Sequence, residues 1–252
     1  MKVKRLQELE EFIHSEGHVS IDELCCQFQV SKNTIRRDLN KLEEDGLVAK
    51  VYGGVSSLNQ TATPFKKRII EHDAEKKQIA RKAAETIEDH DMIYIDSGTT
   101  THHLVNYIDP DYHVTIITNS LDVLNQSVNQ PNCKVLLLGN TFKSNTRSFI
   151  NVRDWPFFER LNINKSYMSA TGVTLERGVT NSDVYEYSIK QQILQKSLKN
   201  HLLVDASKFG KAALVTFAQI TDFDTIYTGS AIPHPYLNHC ESHNVTVTTV
   251  HE

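Results

Sequence analysis

From Met92 onward the chain alternates short apolar runs with segments of helical spacing, and this alternation limits the possible folds most. Met92-Ile93-Tyr94-Ile95-Asp96, Val114-Thr115-Ile116-Ile117-Thr118, Val135-Leu136-Leu137-Leu138-Gly139, Lys165-Ser166-Tyr167-Met168-Ser169, His201-Leu202-Leu203-Val204-Asp205 and Asp224-Thr225-Ile226-Tyr227-Thr228 read as strands. Thr101 to Tyr107 and Leu121 to Val128 read as helices between them. Apolar strands separated by helices predict a mostly parallel sheet covered on both faces, an α/β domain.

In such a sheet, ligands bind beyond the carboxyl ends of the strands. The residues expected there are small and polar: Asp96-Ser97-Gly98-Thr99-Thr100-Thr101, Thr118-Asn119-Ser120, Gly139-Asn140, Ala170-Thr171-Gly172 and Asp205-Ala206-Ser207-Lys208. Gly98 allows backbone to approach a ligand, and the hydroxyls with the following helix start offer an anion cradle. A single polar loop after a strand is commonplace. Five at one sheet edge point to a small-molecule site.

The first sixty residues follow another pattern. Leu6, Leu9, Phe12 and Ile13 mark an amphipathic helix that ends near Gly17. Ser20-Ile21-Asp22-Glu23 is a capping box opening a second helix, and Phe28-Gln29-Val30 is a turn. Ser31 caps a third helix, which stops at Asp45-Gly46. Ile35, Leu39 and Leu42 form its buried stripe, while Lys32, Asn33, Thr34, Arg36, Arg37 and Lys41 project elsewhere. Helix, tight turn and capped basic helix make a helix-turn-helix, whose second helix enters the DNA major groove. An ordinary amphipathic surface helix is the competing reading. Leu47 to Val55 then reads as a hairpin around Gly53-Gly54, a wing whose Lys50 and Tyr52 are candidate phosphate contacts. The domains expected are a winged helix-turn-helix over 1–58, a linker over 59–74 around Pro64, and an effector domain over 75–252. A long charged helical stretch runs from Phe65 to Glu88.

Arg5-x3-Leu9-x3-Ile13, followed by Ser31-x2-Thr34-Ile35-Arg36-Arg37-Asp38-Leu39 and the wing Val51-Tyr52-Gly53-Gly54, resembles the signature of the DeoR-type bacterial repressors. The resemblance extends over nearly the whole chain. It implies an effector domain similar in fold to ribose-5-phosphate isomerase, with the polar loops binding a sugar phosphate. On that basis the phosphate is expected at Ser97 to Thr101, with Lys208 supplying charge. Asn119, Thr171 and Asn181 are expected on sugar hydroxyls. Asp96, Ser120, Arg147, Gly172, Glu186 and Lys190 complete the expected effector set, although Glu186 and Lys190 are also spaced as an ordinary i,i+4 helix pair. The family usually has Gly where this chain has Ser97. Asp96 to Thr101, Asn162 to Lys165, Ser169 to Gly172 and Leu175 to Ser182 look most like the branch that represses inositol catabolism in Bacillus-type bacteria, which responds to a phosphorylated keto-sugar acid.

Composition narrows the classes. The 252 residues carry a net charge of −4, so affinity for DNA must come from a local patch. No apolar run approaches the ~20 residues that cross a bilayer, and the charged start is unlike a signal peptide. A cytoplasmic protein with no membrane partner is expected. Cys25, Cys26, Cys133 and Cys240 lack metal-ligand spacing and read as free thiols. The adjacent His102 and His103 should point apart. No metal and no cofactor are expected.

Three function classes remain. One is a regulator that binds an operator as a homodimer or homotetramer and is released by a phosphorylated sugar or keto-sugar acid. Another is a sugar-phosphate isomerase with an added winged helix. It needs a positioned acid and base, yet Ser169-Ala170-Thr171-Gly172 has no carboxylate where the isomerases have their Asp-rich turn. The third is a module whose winged helix binds protein. The regulator reading is preferred, with no catalytic residues.

Overall fold

The computed structural model describes residues 5–6, 8–10, 12–13, 18–44, 47–51, 54–57, 65–150, 158–229 and 232–250. Gly17, Asp45-Gly46, Tyr52, Gly53, Leu58 and linker positions 59–64 lie outside them. The chain divides into two compact units, Met1–Arg68 and Ile69–Glu252.

In the first unit, the described residues 5–6, 8–10 and 12–13 are helical, and helices Ile21–Phe28 and Lys32–Glu44 follow. Ser20 and Glu23 make the capping box: the Glu23 N–H donates to Ser20 Oγ at 3.1 Å, and the Ser20 N–H donates to Glu23 Oε2 at 2.8 Å. Gln29 ends that helix in the left-handed region, with φ 52°. Strands β1 (His18–Ser20), β2 (Val48–Val51) and β3 (Gly54–Ser57) form an antiparallel sheet in the order β1-β3-β2. The short segment between the first two helices is therefore a strand that pairs Val19 with Val55. Gly54 is required there, because a Cβ on it would lie 2.4 Å from the Val19 carbonyl oxygen. Leu9, Ile13, Leu24, Ile35, Leu39 and Leu42 pack into one core with Val48 and Val55. Each such side chain fully buried contributes about 1.5–3 kcal/mol.

The second unit contains β4 (Met92–Ile95), β5 (Val114–Thr118), β6 (Cys133–Leu137), β7 (Thr141–Lys143), β8 (Ser148–Ile150), β9 (Ile163–Met168), β10 (Gly172–Thr174), β11 (Gly178–Asn181), β12 (Ser197–Leu203), β13 (Val215–Ala218), β14 (Thr225–Gly229) and β15 (Thr246–Val250). Seven form one sheet in the order β15-β14-β12-β9-β4-β5-β6, every pairing parallel. Alternate residues serve opposite faces. Ile93 and Ile95 join Ile79, Ala83, Leu104 and Ile116 on one side, whereas Tyr94 joins Met168, Ile189, Leu202 and Ile226 on the other.

Several details differ from expectation. Phe65 to Glu88 is broken: helix Phe65–Ile70 stops, His72 adopts φ 56°, and a second helix runs Asp73–Ala84. The third sheet strand begins at Cys133 and ends at Leu137, earlier than the expected Val135 to Gly139. Two small antiparallel sheets, β10-β11-β13 and β7-β8, accompany the large one. The His102 and His103 rings, on the 3-10 helix Thr101–Tyr107, lie together at 3.9 Å instead of diverging.

Candidate functional site

The Lys32–Glu44 helix of the first unit presents two faces. Its buried side holds Ile35, Asp38, Leu39 and Leu42. The helix start is capped as the sequence suggests, with the Thr34 N–H donating to Ser31 Oγ at 3.3 Å. Ser31, Lys32, Asn33, Arg36, Arg37 and Lys41 are exposed, and Thr34 is half-buried. Arg5 is a structural cation here: its Nε and Nη2 reach the buried Asp38 Oδ2 at 2.9 and 2.8 Å, pinning the first helix to the third. Lys32 meets Asp22 at 2.5 Å. Lys50 meets Glu43 at 2.5 Å, and its side-chain and backbone hydrogen bonds hold the Glu43 carboxyl below its ordinary range. Arg36 and Arg37 engage no acidic side chain among the described residues. The exposed face thus offers the guanidiniums of Arg36 and Arg37, unpaired among the described residues, flanked by amides and hydroxyls.

In the second unit, the all-parallel sheet places the carboxyl ends of β4, β5, β9 and β12 on one edge. Asp96 follows β4 and is buried. Its Oδ1 accepts the Gly98 N–H at 3.0 Å and the Thr101 hydroxyl. Its Oδ2 accepts the Ser169 N–H at 2.8 Å, the Ser169 hydroxyl at 3.0 Å and Lys190 Nζ. Burial pushes the Asp96 carboxyl up, but Lys190, Thr101 and the Ser169 N–H outweigh it and hold the group below the usual carboxylate range. Lys190 Nζ also donates to the Ser169 carbonyl at 2.8 Å and lies 4.9 Å from the Phe217 ring centre.

Glu186 anchors a second network. Its Oε1 accepts the hydroxyls of Ser97 at 3.0 Å and Ser148 at 3.2 Å, and its Oε2 accepts Asn181 Nδ2 at 2.8 Å. Asn181 Oδ1 accepts the Thr171 hydroxyl at 3.0 Å. Glu186 and Lys190 are therefore not a helix-surface pair: both are buried, and each holds its own partners, Ser97, Ser148 and Asn181 for Glu186, Asp96 and the Ser169 carbonyl for Lys190. Asn119 accepts the Tyr94 hydroxyl at 3.0 Å and donates to the Phe149 carbonyl at 3.3 Å. Ser120 caps helix Leu121–Ser127 through the Val123 N–H.

Asp96, Ser97, Thr101, Thr171, Asn181, Glu186 and Lys190 thus come together through side chains. Thr99 and Thr100 are buried beside them, without a side-chain hydrogen bond among the described residues. Arg147 is directed elsewhere: its Nε and Nη2 clasp Asp122 at 2.9 and 2.7 Å. Lys208 Nζ lies 3.5 Å from Asp205 Oδ2. At Gly98 the packing of the site itself requires a glycine, since a Cβ there would lie 1.9 Å from Ser169 Oγ. A Cβ on Gly172 would lie 2.2 Å from the Lys211 carbonyl oxygen.

Sequence reasoning missed three contributors to these networks. Ser169 was visible as a small residue after a strand. Tyr94 looked like sheet core, and Ser148 sits in the short β7-β8 hairpin, which has no marked periodicity.

A winged helix with an exposed basic helix, and an α/β unit with polar groups gathered at its strand ends, define a DNA-binding regulator with a sensor domain. Residues 5–61 match the DeoR-like helix-turn-helix domain and residues 71–230 the DeoR C terminal sensor domain. The chain belongs to the DeoR family of transcriptional regulators. It is 48% identical to the HTH-type transcriptional regulator IolR of Bacillus subtilis over 98% of this chain and 99% of that one. It is 30% identical to the glycerol-3-phosphate regulon repressor of Escherichia coli, over 93% of this chain and 94% of that one. Among solved structures it is similar to ribose 5-phosphate isomerase A of Methanocaldococcus jannaschii, at 12% identity, 55% coverage of each chain and a TM-score of 0.42. Among the described residues, no helix is long and apolar enough to cross a membrane.

Proposed function

We propose that this regulator represses a sugar or inositol catabolism operon and is released by a phosphorylated sugar or keto-sugar acid. The observation that carries the reading is the pair of buried networks around Asp96 and Glu186, on a chain that also carries an exposed basic helix. Hydroxyl, amide and carboxylate groups at one sheet edge suit a polyhydroxylated ligand, and the Thr99 and Thr100 hydroxyls suit its phosphate. Lys190, Arg147 and Lys208 already face carboxylates. A phosphate therefore draws first on hydroxyls and backbone N–H groups, and engages a cation by competing with its carboxylate. The likeness to IolR supports the inositol branch, and the glycerol-3-phosphate regulon repressor supports a phosphorylated effector.

On the DNA side, Ser31, Lys32, Asn33, Thr34, Arg36, Arg37, Lys41, Lys50 and Tyr52 form the operator-facing set. A homodimer or homotetramer in the cytoplasm reads two half-sites, since one short module supplies limited specificity. The effector stabilises a form with poor operator affinity, through a coupling of about 1–3 kcal/mol that acts equally in both directions. Titrating phosphorylated sugars and keto-sugar acids against a labelled promoter fragment tests this. One of them should weaken operator binding by roughly 5–150-fold. A ligand that binds yet leaves DNA affinity unchanged refutes the switch.

A further inference from the structure

We propose that Asp89, His90 and His113 form a binding site for a divalent transition-metal ion of the zinc class. Asp89 and His90 stand just before β4, separated from it by Asp91, and His113 immediately precedes β5. These neighbouring strands run parallel, so the three residues lie at the amino-terminal edge of the sheet, opposite the sensor networks. One ligand atom from each lies within 4.8 Å of the others.

The donors are one carboxylate and two imidazoles, a set suited to zinc, nickel or copper and poorly suited to calcium or magnesium. Zinc–ligand bonds of about 2.0–2.2 Å in a tetrahedron place neighbouring donors about 3.4 Å apart. The two imidazoles flank the two oxygens of one carboxylate at about that separation: His90 Nε2 lies 3.3 Å from Asp89 Oδ2, and His113 Nδ1 lies 3.4 Å from Asp89 Oδ1.

Backbone contacts hold the arrangement in place. Asp89 Oδ1 accepts the N–H of His113 at 2.6 Å and that of His90 at 3.1 Å. The His90 N–H also donates to the His113 carbonyl at 3.0 Å. His90 adopts φ 65°, a region uncommon for a residue with a Cβ, and its ring stacks on that of His113 at 5.5 Å. All three side chains are exposed, so water can complete the coordination shell. Sequence spacing does not announce the site, because one ligand comes from a separate loop.

Tag-free full-length protein, stripped with chelator, is titrated with zinc chloride by calorimetry. The expected result is saturation at one equivalent per chain and a metal-dependent rise in melting temperature. His90→Gly removes one donor and accepts the left-handed backbone without strain. Asp89→Asn removes the charge and keeps an oxygen to accept both N–H groups. Each should weaken zinc binding at least tenfold, while melting of the metal-free protein stays unchanged. Absence of saturable binding overturns the proposal. So does unchanged affinity in both variants, which would place the zinc elsewhere, for instance at His239 and His243, whose rings lie 4.4 Å apart.

Discussion

Lys190 Nζ donates to Asp96 Oδ2 between two side chains that are 4% and 1% exposed, joining the last third of the chain to the first strand of the sheet. A buried pair of this kind is costly to break, because the survivor is a charge with no counter-ion. Lys190→Met should lower unfolding free energy by about 3–5 kcal/mol in urea titrations. Asp96→Asn should cost a similar amount, and the double variant less than the sum of the two. The sign with pH follows from the depressed Asp96 carboxyl. Its contribution is full above the unfolded-state value of about 3.9 and is lost as pH falls through the lower folded value. Asp96→Asn should therefore flatten the acid limb of the stability curve, and an unaltered limb would exclude Asp96 as its source.

Gly98 and Ser169 interlock in the same region. A Cβ at Gly98 would lie 1.9 Å from Ser169 Oγ, 2.6 Å from Ser169 Cβ and 2.9 Å from Asp96 Oδ1. Gly98→Ala should displace Ser169 from Asp96 and destabilise the protein by about 1–3 kcal/mol, as overpacking typically does. Adding Ser169→Gly removes the two closest atoms and should recover part of that loss, though not the Ser169 hydroxyl hydrogen bond. If thermal melts show no recovery, the collision is not with Ser169.

The strand ends could be located from sequence because direction is common to all members of a parallel sheet. Once Ile93, Ile116 and Leu202 were read as strand residues, Asp96, Asn119 and Asp205 had to share an edge. Side-chain partnerships were not legible in the same way. Four residues separate Glu186 from Lys190 on the Val184–Lys196 helix, a spacing equally compatible with a surface ion pair, and only the positions of Ser97 and Asp96 decide otherwise. The last strand, Thr246-Val247-Thr248-Thr249-Val250, has its apolar residues at 247 and 250, a spacing that fits neither strict alternation nor an apolar run. The break at His72 leaves no glycine or proline signal at all. In the first unit the caps were legible, since Ser20, Glu23 and Ser31 act within one helical turn.

His201 is a buried imidazole lying 5.0 Å from the ring of Tyr167 and 5.8 Å from that of Tyr227, and neither of its ring nitrogens has a hydrogen-bond partner among the described residues. Burial is the main cause that lowers its pKa, to about 4, with Lys165 and Lys199 adding to it and Asp224 opposing. A histidine lowered in the folded state takes up its proton preferentially when unfolded. Stability is therefore full above the unfolded value of about 6.5 and falls as pH drops towards 4, by about 3 kcal/mol. His201→Phe keeps the ring packing and removes the proton site. Urea titrations between pH 4 and 7 should show a shallower slope in the variant, with His103, also lowered to about 4, accounting for part of what remains. An identical slope would show that His201 is not buried in its neutral form.

Arg36 and Arg37 are the cations of the Lys32–Glu44 helix without an acidic partner among the described residues, so DNA can engage them without first breaking an ion pair. Lys32 and Lys50, by contrast, must leave Asp22 and Glu43. Arg36→Ala and Arg37→Ala should therefore weaken operator binding more than Lys32→Ala does. An arginine bonded to a guanine edge should cost about 1–3 kcal/mol on removal and relax specificity at one base pair. An arginine bonded only to phosphate should weaken all sequences alike and reduce the salt slope by about one. Fluorescence anisotropy at several salt concentrations, with matched operator and scrambled duplexes, separates the two cases. Neither substitution should disturb folding, because both side chains lie outside the buried stripe of Ile35, Leu39 and Leu42. Operator affinity that survives both changes would mean that this helix does not face the duplex.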